Sequence, residues 1–533
     1  MLRKSDVSFL RIPAQRAGLY LTHIQLSALD HTLGKLRPAL MDGSSRPECL
    51  PGTRSHLLRS IMDWIFSSNA QRILWLHGLA GSGKSTLSTT ISNHCRAQGC
   101  LGAFAFFNRD VEERNQPWNV VRTLAYQLGS CDVQIGTAIA AAIDAMPSIA
   151  QSALRFQFTK LLLEPLSALP THRAPVVLIL DALDECRSGE GRRLLLKILA
   201  AESIHLPSFA RILITSRADF DIRAAFIGRP HIFMQELGIA SEDNIRDISS
   251  FLHSRMTEIR VTNPSLMLPP DWPGQASLNA LGHRASGLFA WASTACRFIE
   301  GYDPQQRLGV LLQGAVHSDS ELALDSLYQT ALMSAGLWDD DEFCTDFNVI
   351  MGTILIAKNP LSCKAIDNLL FLNRSSCHTL SRLRCVLSWS DTTPIRILHP
   401  SFADFLSDPR RCGSSWYINT SFHNRSFAVQ CLHHLYSVLK RNICDLKLSP
   451  AAVDKVLPEE TSYAAGSWIN HIIDIKEGEM FIAETLELFF YRHLLHWLEV
   501  MSILKQSRTT ISSLRCLLDW SMVRDLRFSS VLV

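Results

Sequence analysis

Among the 533 residues there is no apolar run of about 18 or more, the length a membrane-crossing helix needs. The N-terminus, MLRKSDVSFLRIPAQRAGLY, has charges but no continuous apolar segment, so it does not read as a secretory signal. Charge of one sign is also scarce: 52 Lys and Arg against 50 Asp and Glu leave a net charge of +2, which gives no reason to expect nucleic-acid binding. The 14 cysteines are scattered from Cys49 to Cys516 without a C-x-x-C or a tight Cys/His cluster. That pattern excludes a recognisable zinc site and predicts reduced thiols, not a disulfide framework, in a cytoplasmic protein. No repeat of 20–50 residues is visible and no segment is low in complexity, which excludes a solenoid or propeller.

What is present is enough apolar material, 47% of residues, to build several cores, and the length suggests two to four domains. Short apolar runs recur between helical patterns. RILWLHG, GAFAFFNRD, PVVLILD, FARILITSR and HIFMQEL read as five buried strands. SHLLRSIMDWIFSS precedes the first and STLSTTISNHCRAQ follows it as helices, and residues 117–165 are mostly helical. Strands alternating with helices predict a parallel sheet across roughly 70–237. Beyond it, SEDNIRDISSFLHSRM opens a helix with Ser241 as its cap. Residues 240–330 and 420–533 read as helical, with short β-like pieces, VLSWSD and IRILHP, between them.

The strongest motif is GLAGSGKS, Gly78 to Ser85, which fits G-x-x-x-x-G-K-[ST] between a strand and a helix. Gly78, Gly81 and Gly83 let the backbone wrap a phosphate, and Leu79, Ala80 and Ser82 supply further loop amides. The helix starting near Lys84 directs its positive end to the same anion. Lys84 would reach the β- and γ-phosphates, the Ser85 hydroxyl would ligate Mg2+, and Thr86 would add a phosphate contact.

About 100 residues later, an apolar strand ends in Asp181, the pattern of a Walker B strand whose carboxylate serves the metal. Asp184 and Glu185 follow within one turn, where a carboxylate can polarise an attacking water, Glu185 being the favoured base. The alternative for both is a pair of helix N-terminal acids held by the dipole. ILITSR ends in Thr215, Ser216 and Arg217, where Arg217 would neutralise γ-phosphate charge or simply face solvent. Arg109, closing GAFAFFNRD, is a weaker candidate of the same kind.

No N-K-x-D motif is present to read guanine, and no L-S-G-G-Q signature marks a transporter ATPase. The segments RPECLPGTR, ILWLHGLAGSGKST, VLILDALDEC, RILITSR and IFMQEL together resemble the NACHT NTPases of the STAND class in their nephrocystin-like form. The likeness continues through LGHRASGLFAWASTACRFI, LDSLYQTAL, PLSCKAIDNLL, IRILHPSFADFLSD, SYAAGSWINHI and LLHWLEVMSIL, so it covers about residues 45–505. It implies an α/β P-loop NTPase, a parallel sheet flanked by helices, followed by helical, winged-helix and helical-tail domains. The implied boundaries are an N-terminal helical segment and linker at 1–50, the NTPase at 51–237, a helical arm at 238–340, a winged helix at 341–420 and a helical tail at 421–533.

The resemblance also implies function. ATP or ADP with Mg2+ would set a signalling switch that hydrolyses slowly and then self-associates or engages partner proteins. His399 matches the winged-helix histidine that contacts the β-phosphate of ADP in relatives, although a lone histidine is more often structural. Gly287 and Leu288 correspond loosely to the segment over the base, where a family proline is missing. Relatives carry C-terminal repeats that sense a ligand. This sequence reaches Val533 without them, which predicts a truncated product or a partner that supplies sensing and output. Two other readings stay open: an active ATPase doing remodelling work, and a non-hydrolysing scaffold with structural nucleotide.

Overall fold

A computed structural model describes residues 27–41, 43, 46–68, 70–171, 173–444, 457–475 and 480–523. The periodic stretch LTHIQLSALDHTLGKLRPAL lies partly outside them, and residues 27–34 of it are helical. The chain divides into two compact units. The first comprises residues 1–79, 84–109 and 113–238, and the second comprises 80–83, 110–112 and 239–533.

The first unit is built on five parallel strands in the order β2-β3-β4-β1-β5. They are β1 (Ile73–His77), β2 (Leu101–Phe106), β3 (Val176–Asp181), β4 (Ala210–Ser216) and β5 (Ile232–Glu236), one for each run expected from the sequence. Continuous apolar runs form strands here because both faces of the sheet are covered. Side chains alternate between the faces, so Ile73 and Trp75 pack with Leu178, Leu180, Ile212 and Ile214 on one side. Leu74 and Leu76 pack on the other with Val177, Ile179 and Leu213 against Ile61, Ile65, Leu87 and Ile91. The helices Ser55–Phe66 and Lys84–Ala97 supply that second layer. The site follows from the register. Pairs Leu76–Thr215 and Phe106–Asp181 align the ends of neighbouring strands, so polar strand-end residues meet at one edge of the sheet.

The second unit is helical and its core runs from Ile248 to Trp520. Ser241 caps the helix Glu242–Thr262, its hydroxyl accepting from the Asn244 amide. VLSWSD and IRILHP contribute a small antiparallel pair, β6 (Leu387–Ser388) and β7 (Arg396–Ile397). The expectation of reduced thiols throughout is corrected in this unit: Cys363 and Cys377 form a disulfide. The helix Cys363–Leu370 is followed by a turn that brings the helix Ser376–Leu380 back beside its start, and the Cα atoms stand 5.9 Å apart. Among the described residues no helix is long and apolar enough to cross a membrane. No group of three or more His, Cys, Asp or Glu among them is arranged to hold a metal on its own.

Candidate functional site

In the first unit the site grows from three adjacent strand ends. β1 runs out at His77 and leads through Gly78 and Leu79, and the chain re-enters as the helix beginning at Lys84. Gly81 and Gly83 both have positive φ, 80° and 95°, a backbone region open to glycine without strain. Lys84 is nearly buried, and its ammonium donates to the carbonyls of Gly78 and Leu79 at 2.8 Å each. Burial, opposed by the nearby carboxylate of Asp184, pulls its pKa down to about 8. A cation held this dry favours added negative charge, and an arriving phosphate supplies it. Ser85 is exposed and Thr86 half-buried in the first turn of the same helix.

β3 ends at Asp181, which is fully buried. One carboxylate oxygen accepts from the Thr215 hydroxyl at the end of β4, and the other is paired with the guanidinium of Arg46. Thr215 also receives the Ala182 amide at 3.1 Å, so β4 fixes the turn as well as the carboxylate. Ala182 sits at φ 56°, and this left-handed residue starts the 3-10 turn Leu183–Glu185. The turn sends Asp184 and Glu185 to different partners. Asp184 accepts from the Arg217 amide and from its Nε, both at 3.1 Å. Glu185 accepts the Arg109 amide at 3.3 Å. Of the sequence candidates, the structure therefore joins Asp184 with Arg217 and Glu185 with the backbone of Arg109.

Two contributors to this arrangement were not among the site candidates read from the sequence. Arg46 comes from the stretch that reads as a linker. Arg192, on the helix Glu190–Glu202, bonds the Asp184 carbonyl at 3.1 Å and the carboxylates of Asp219 and Asp221 at 2.9 Å. It ties the turn after β3 to the loop after β4. Acidic residues following ITSR were the available hint, and nothing in the sequence pairs them with an arginine about 27 residues upstream.

The tip of the phosphate loop, Ala80–Gly83, belongs to the second compact unit. There, the Ala290 amide donates to the Gly81 carbonyl at 3.0 Å. A Cβ placed on Gly81 would meet the Ala290 Cβ at 2.6 Å and the His399 Cε1 at 3.6 Å. His399 caps the helix Pro400–Leu406, its Nδ1 accepting from the Ser401 amide at 3.2 Å. Nδ1 also lies 2.6 Å from the Ser401 hydroxyl, which is 2.7 Å from the Tyr328 hydroxyl. Acceptance at Nδ1 places the proton of the neutral ring on Nε2. Gly287, at φ 79°, packs on the Ile239 carbonyl, and the buried Asn244 amide bonds the carbonyls of both residues. Leu288 is buried beside it.

A glycine loop around a buried lysine, with an aspartate at the end of a parallel strand one place removed in the sheet, defines a P-loop NTPase. Residues 52–217 match the family described as nephrocystin 3, N-terminal. The vegetative incompatibility protein HET-E-1 of Podospora anserina is 22% identical over 514 residues, 87% of this chain and 36% of that protein. The chain thus spans about a third of that relative's length. These matches place the likeness to the nephrocystin 3 N-terminal family on the part of the chain that has the P-loop NTPase fold. Solved structures with a similar fold include a STAND protein with a tetratricopeptide repeat sensor from Pyrococcus horikoshii. It shows 14% identity and a TM-score of 0.40, over 93% of this chain and 59% of that one. The Orc1 protein of Aeropyrum pernix in complex with DNA shows 14% identity and a TM-score of 0.30, over 70% and 94%. Likenesses at these scores carry no functional argument.

Proposed function

We propose that the protein is a nucleotide-dependent signalling switch that binds ATP and ADP with magnesium and hydrolyses ATP slowly. The observation that carries this reading is the buried ammonium of Lys84, held by two loop carbonyls with its proton affinity lowered. A phosphate relieves that buried charge and replaces it with a favourable pair.

The donor set for the metal is entirely oxygen, the Ser85 hydroxyl and the Asp181 carboxylate, which suits a hard dication such as magnesium. When bound, that ion supplies neutralisation of charge on the β- and γ-phosphate oxygens. The chain's own groups do the rest. Lys84 and the loop amides of 78–84 orient the phosphates, and Arg217, fixed by Asp184, supplies positive charge for the γ-phosphate. Glu185, oriented by the Arg109 amide, takes the proton of an attacking water at its carboxylate. The contact of Gly81 with Ala290, and the place of His399 beside it, support a switch. Within the second unit, Gly81 meets groups of the helical arm (238–340) and the winged helix (341–420). The affinity of the two nucleotides then biases the conformation of those parts and of the helical tail (421–533). We extend the reading to self-association or to partner proteins that sense and signal. The near-zero net charge favours protein partners over nucleic acid.

The test is to purify the full chain, identify the nucleotide that accompanies it, and measure turnover for the wild type, Lys84→Ala and Glu185→Gln. Firmly held ADP and turnover well below one per second support the switch. Turnover of many per second points to a remodelling ATPase instead. If Glu185→Gln changes nothing, the nucleotide is structural. If Lys84→Ala retains wild-type nucleotide, the phosphate site is misassigned.

A further inference from the structure

Arg46 lies 135 residues from Asp181 in sequence, yet its guanidinium pairs with the one Asp181 oxygen that Thr215 does not take. The side chain is held on a prepared shelf. Its guanidinium carbon lies 4.3 Å from the centre of the Phe106 ring and 5.5 Å from that of Phe104. Its Nε faces the Thr89 hydroxyl at 3.3 Å, on the helix that begins at Lys84. The chain on either side is fastened to the first unit. The Ala39 amide donates to Thr123 at 3.0 Å, the Leu40 carbonyl accepts from Arg114 at 2.7 Å, and the Cys49 amide donates to Thr90 at 2.9 Å. Arg46 is the central clasp of a strap laid over the ends of β2 and β3.

We propose that Arg46 and the magnesium ion of the nucleotide site compete for Asp181, so that the strap around Arg46 loosens when metal-bound nucleotide is taken up. The inference rests on the nucleotide-binding reading given above. Asp181 is fully buried, and its two oxygens are committed to one hydroxyl and one cation. A guanidinium and a dication on one buried carboxylate repel each other in a medium that screens poorly. The hydroxyl of Thr215 can stay, because it is neutral. Arg46 must yield, either outward to solvent or along the aromatic shelf, and its backbone moves with it. The site would thereby report its occupancy to the segment that precedes the NTPase domain, independently of the helical arm and winged helix.

The experiment uses the full chain and a fluorescent mant-ADP probe, titrated with magnesium at fixed nucleotide, for the wild type, Arg46→Gln, Arg46→Lys and Lys84→Ala. Competition predicts that the magnesium concentration at half-saturation falls about tenfold or more in Arg46→Gln, with Arg46→Lys between it and the wild type. Hydrogen exchange of wild-type amides 46–50 supplies a second readout that needs no variant, and exchange should rise at least severalfold with magnesium and ADP over ADP with EDTA. An unchanged magnesium midpoint in Arg46→Gln, or unchanged exchange in the wild type, overturns the competition. If the wild type binds mant-ADP and Lys84→Ala does not, the nucleotide reading survives that failure. If the wild type binds no mant-ADP at any magnesium concentration, both fall together.

Discussion

Arg217 grips Asp184 twice, its backbone amide on one carboxylate oxygen and its Nε on the other, each at 3.1 Å. Asp184 is nearly buried while Arg217 keeps about a third of its side chain open. The pair is therefore one unit with one exposed edge, and residues that act as a unit are not additive when removed. Single-turnover hydrolysis of ATP should fall about 10- to 100-fold in Asp184→Asn and in Arg217→Ala. The double variant should fall no further than the worse single. Losses that multiply in the double variant would show that the two residues act separately.

Nucleotide binding should weaken at alkaline pH, and Lys84 gives the sign. Its pKa in the folded chain is lowered to about 8, chiefly by burial. Below pH 8 the ammonium is charged before the nucleotide arrives. Above it, each pH unit removes about a factor of ten of the charged form, while bound phosphate pulls the pKa back up. The mant-ADP affinity should thus be flat from about pH 6.5 to 7.5 and decline through pH 8–9.5. Lys84→Arg keeps its charge across this range and should bind with a flatter profile, even if more weakly. An equally steep decline in the arginine variant would move the cause elsewhere.

The parts of this site that could be read from the sequence are those whose chemistry and structure share one short stretch. β1 and the loop at 78–85 announce each other, because an apolar run must end where glycines and a lysine begin. β3 and Asp181 are legible for the same reason, and Thr215 marks the end of β4. Arg46 was not legible as a site residue because its partner lies 135 residues on, and the two meet only when the chain before the sheet is laid over the end of β3. Arg192 was hidden in the same way, since an arginine in the first turn of an amphipathic helix reads as a solvated face. Here it is buried between the Asp184 carbonyl in the turn after β3 and the carboxylates of Asp219 and Asp221 after β4. Cys363 and Cys377 stand 14 residues apart among 14 cysteines, and only the reversal between two short helices selects that pair.

That disulfide is open to direct counting. Thiol titration of the denatured chain without reductant should find twelve of the fourteen cysteines reactive, and all fourteen after reduction. A bridge closing a loop of this size stabilises by about 3 kcal/mol in the chain-entropy account. The paired Cys363→Ser and Cys377→Ser variant should lose a measurable part of that in a thermal or denaturant unfolding experiment. Fourteen reactive thiols in protein prepared without reductant would restore the expectation of reduced cysteines.

Trp75 offers a test of the sheet that carries the site. It is fully buried on β1, packs edge-on to Phe226 with ring centres 5.3 Å apart, and donates its indole N–H to the Ser216 hydroxyl at 2.8 Å. Trp75→Ala should destabilise by about 3–5 kcal/mol through the cavity it leaves. Trp75→Phe keeps most of the volume and loses the hydrogen bond, so about 1–2 kcal/mol is expected. Because Ser216 precedes Arg217, the alanine variant should also weaken mant-ADP binding at temperatures well below its own melting. Binding that stays at wild-type strength in Trp75→Ala would uncouple the core of the sheet from its edge.

His399 is the residue whose role depends most on its surroundings. Nδ1 is committed to Ser401, and Ser401 is held by Tyr328, a fully buried side chain whose phenol burial keeps protonated. The ring is thus oriented by a relay from the helix Ser320–Ala335, with its Cε1 toward Gly81. If Nε2–H serves a phosphate held by that loop, the bond is charge-assisted and worth about 1.5–3 kcal/mol, or a factor of roughly 10–100 in dissociation rate. His399→Ala should accelerate mant-ADP release by that factor. Ser401→Ala should produce a smaller acceleration and Tyr328→Phe the smallest, because each successive change leaves more of the relay in place. Stopped-flow chase with excess unlabelled ADP measures all three, and size-exclusion chromatography with light scattering reports whether faster release is accompanied by self-association. An unchanged release rate in His399→Ala would reduce His399 to the cap of its helix, and the same rate in all three variants would break the relay.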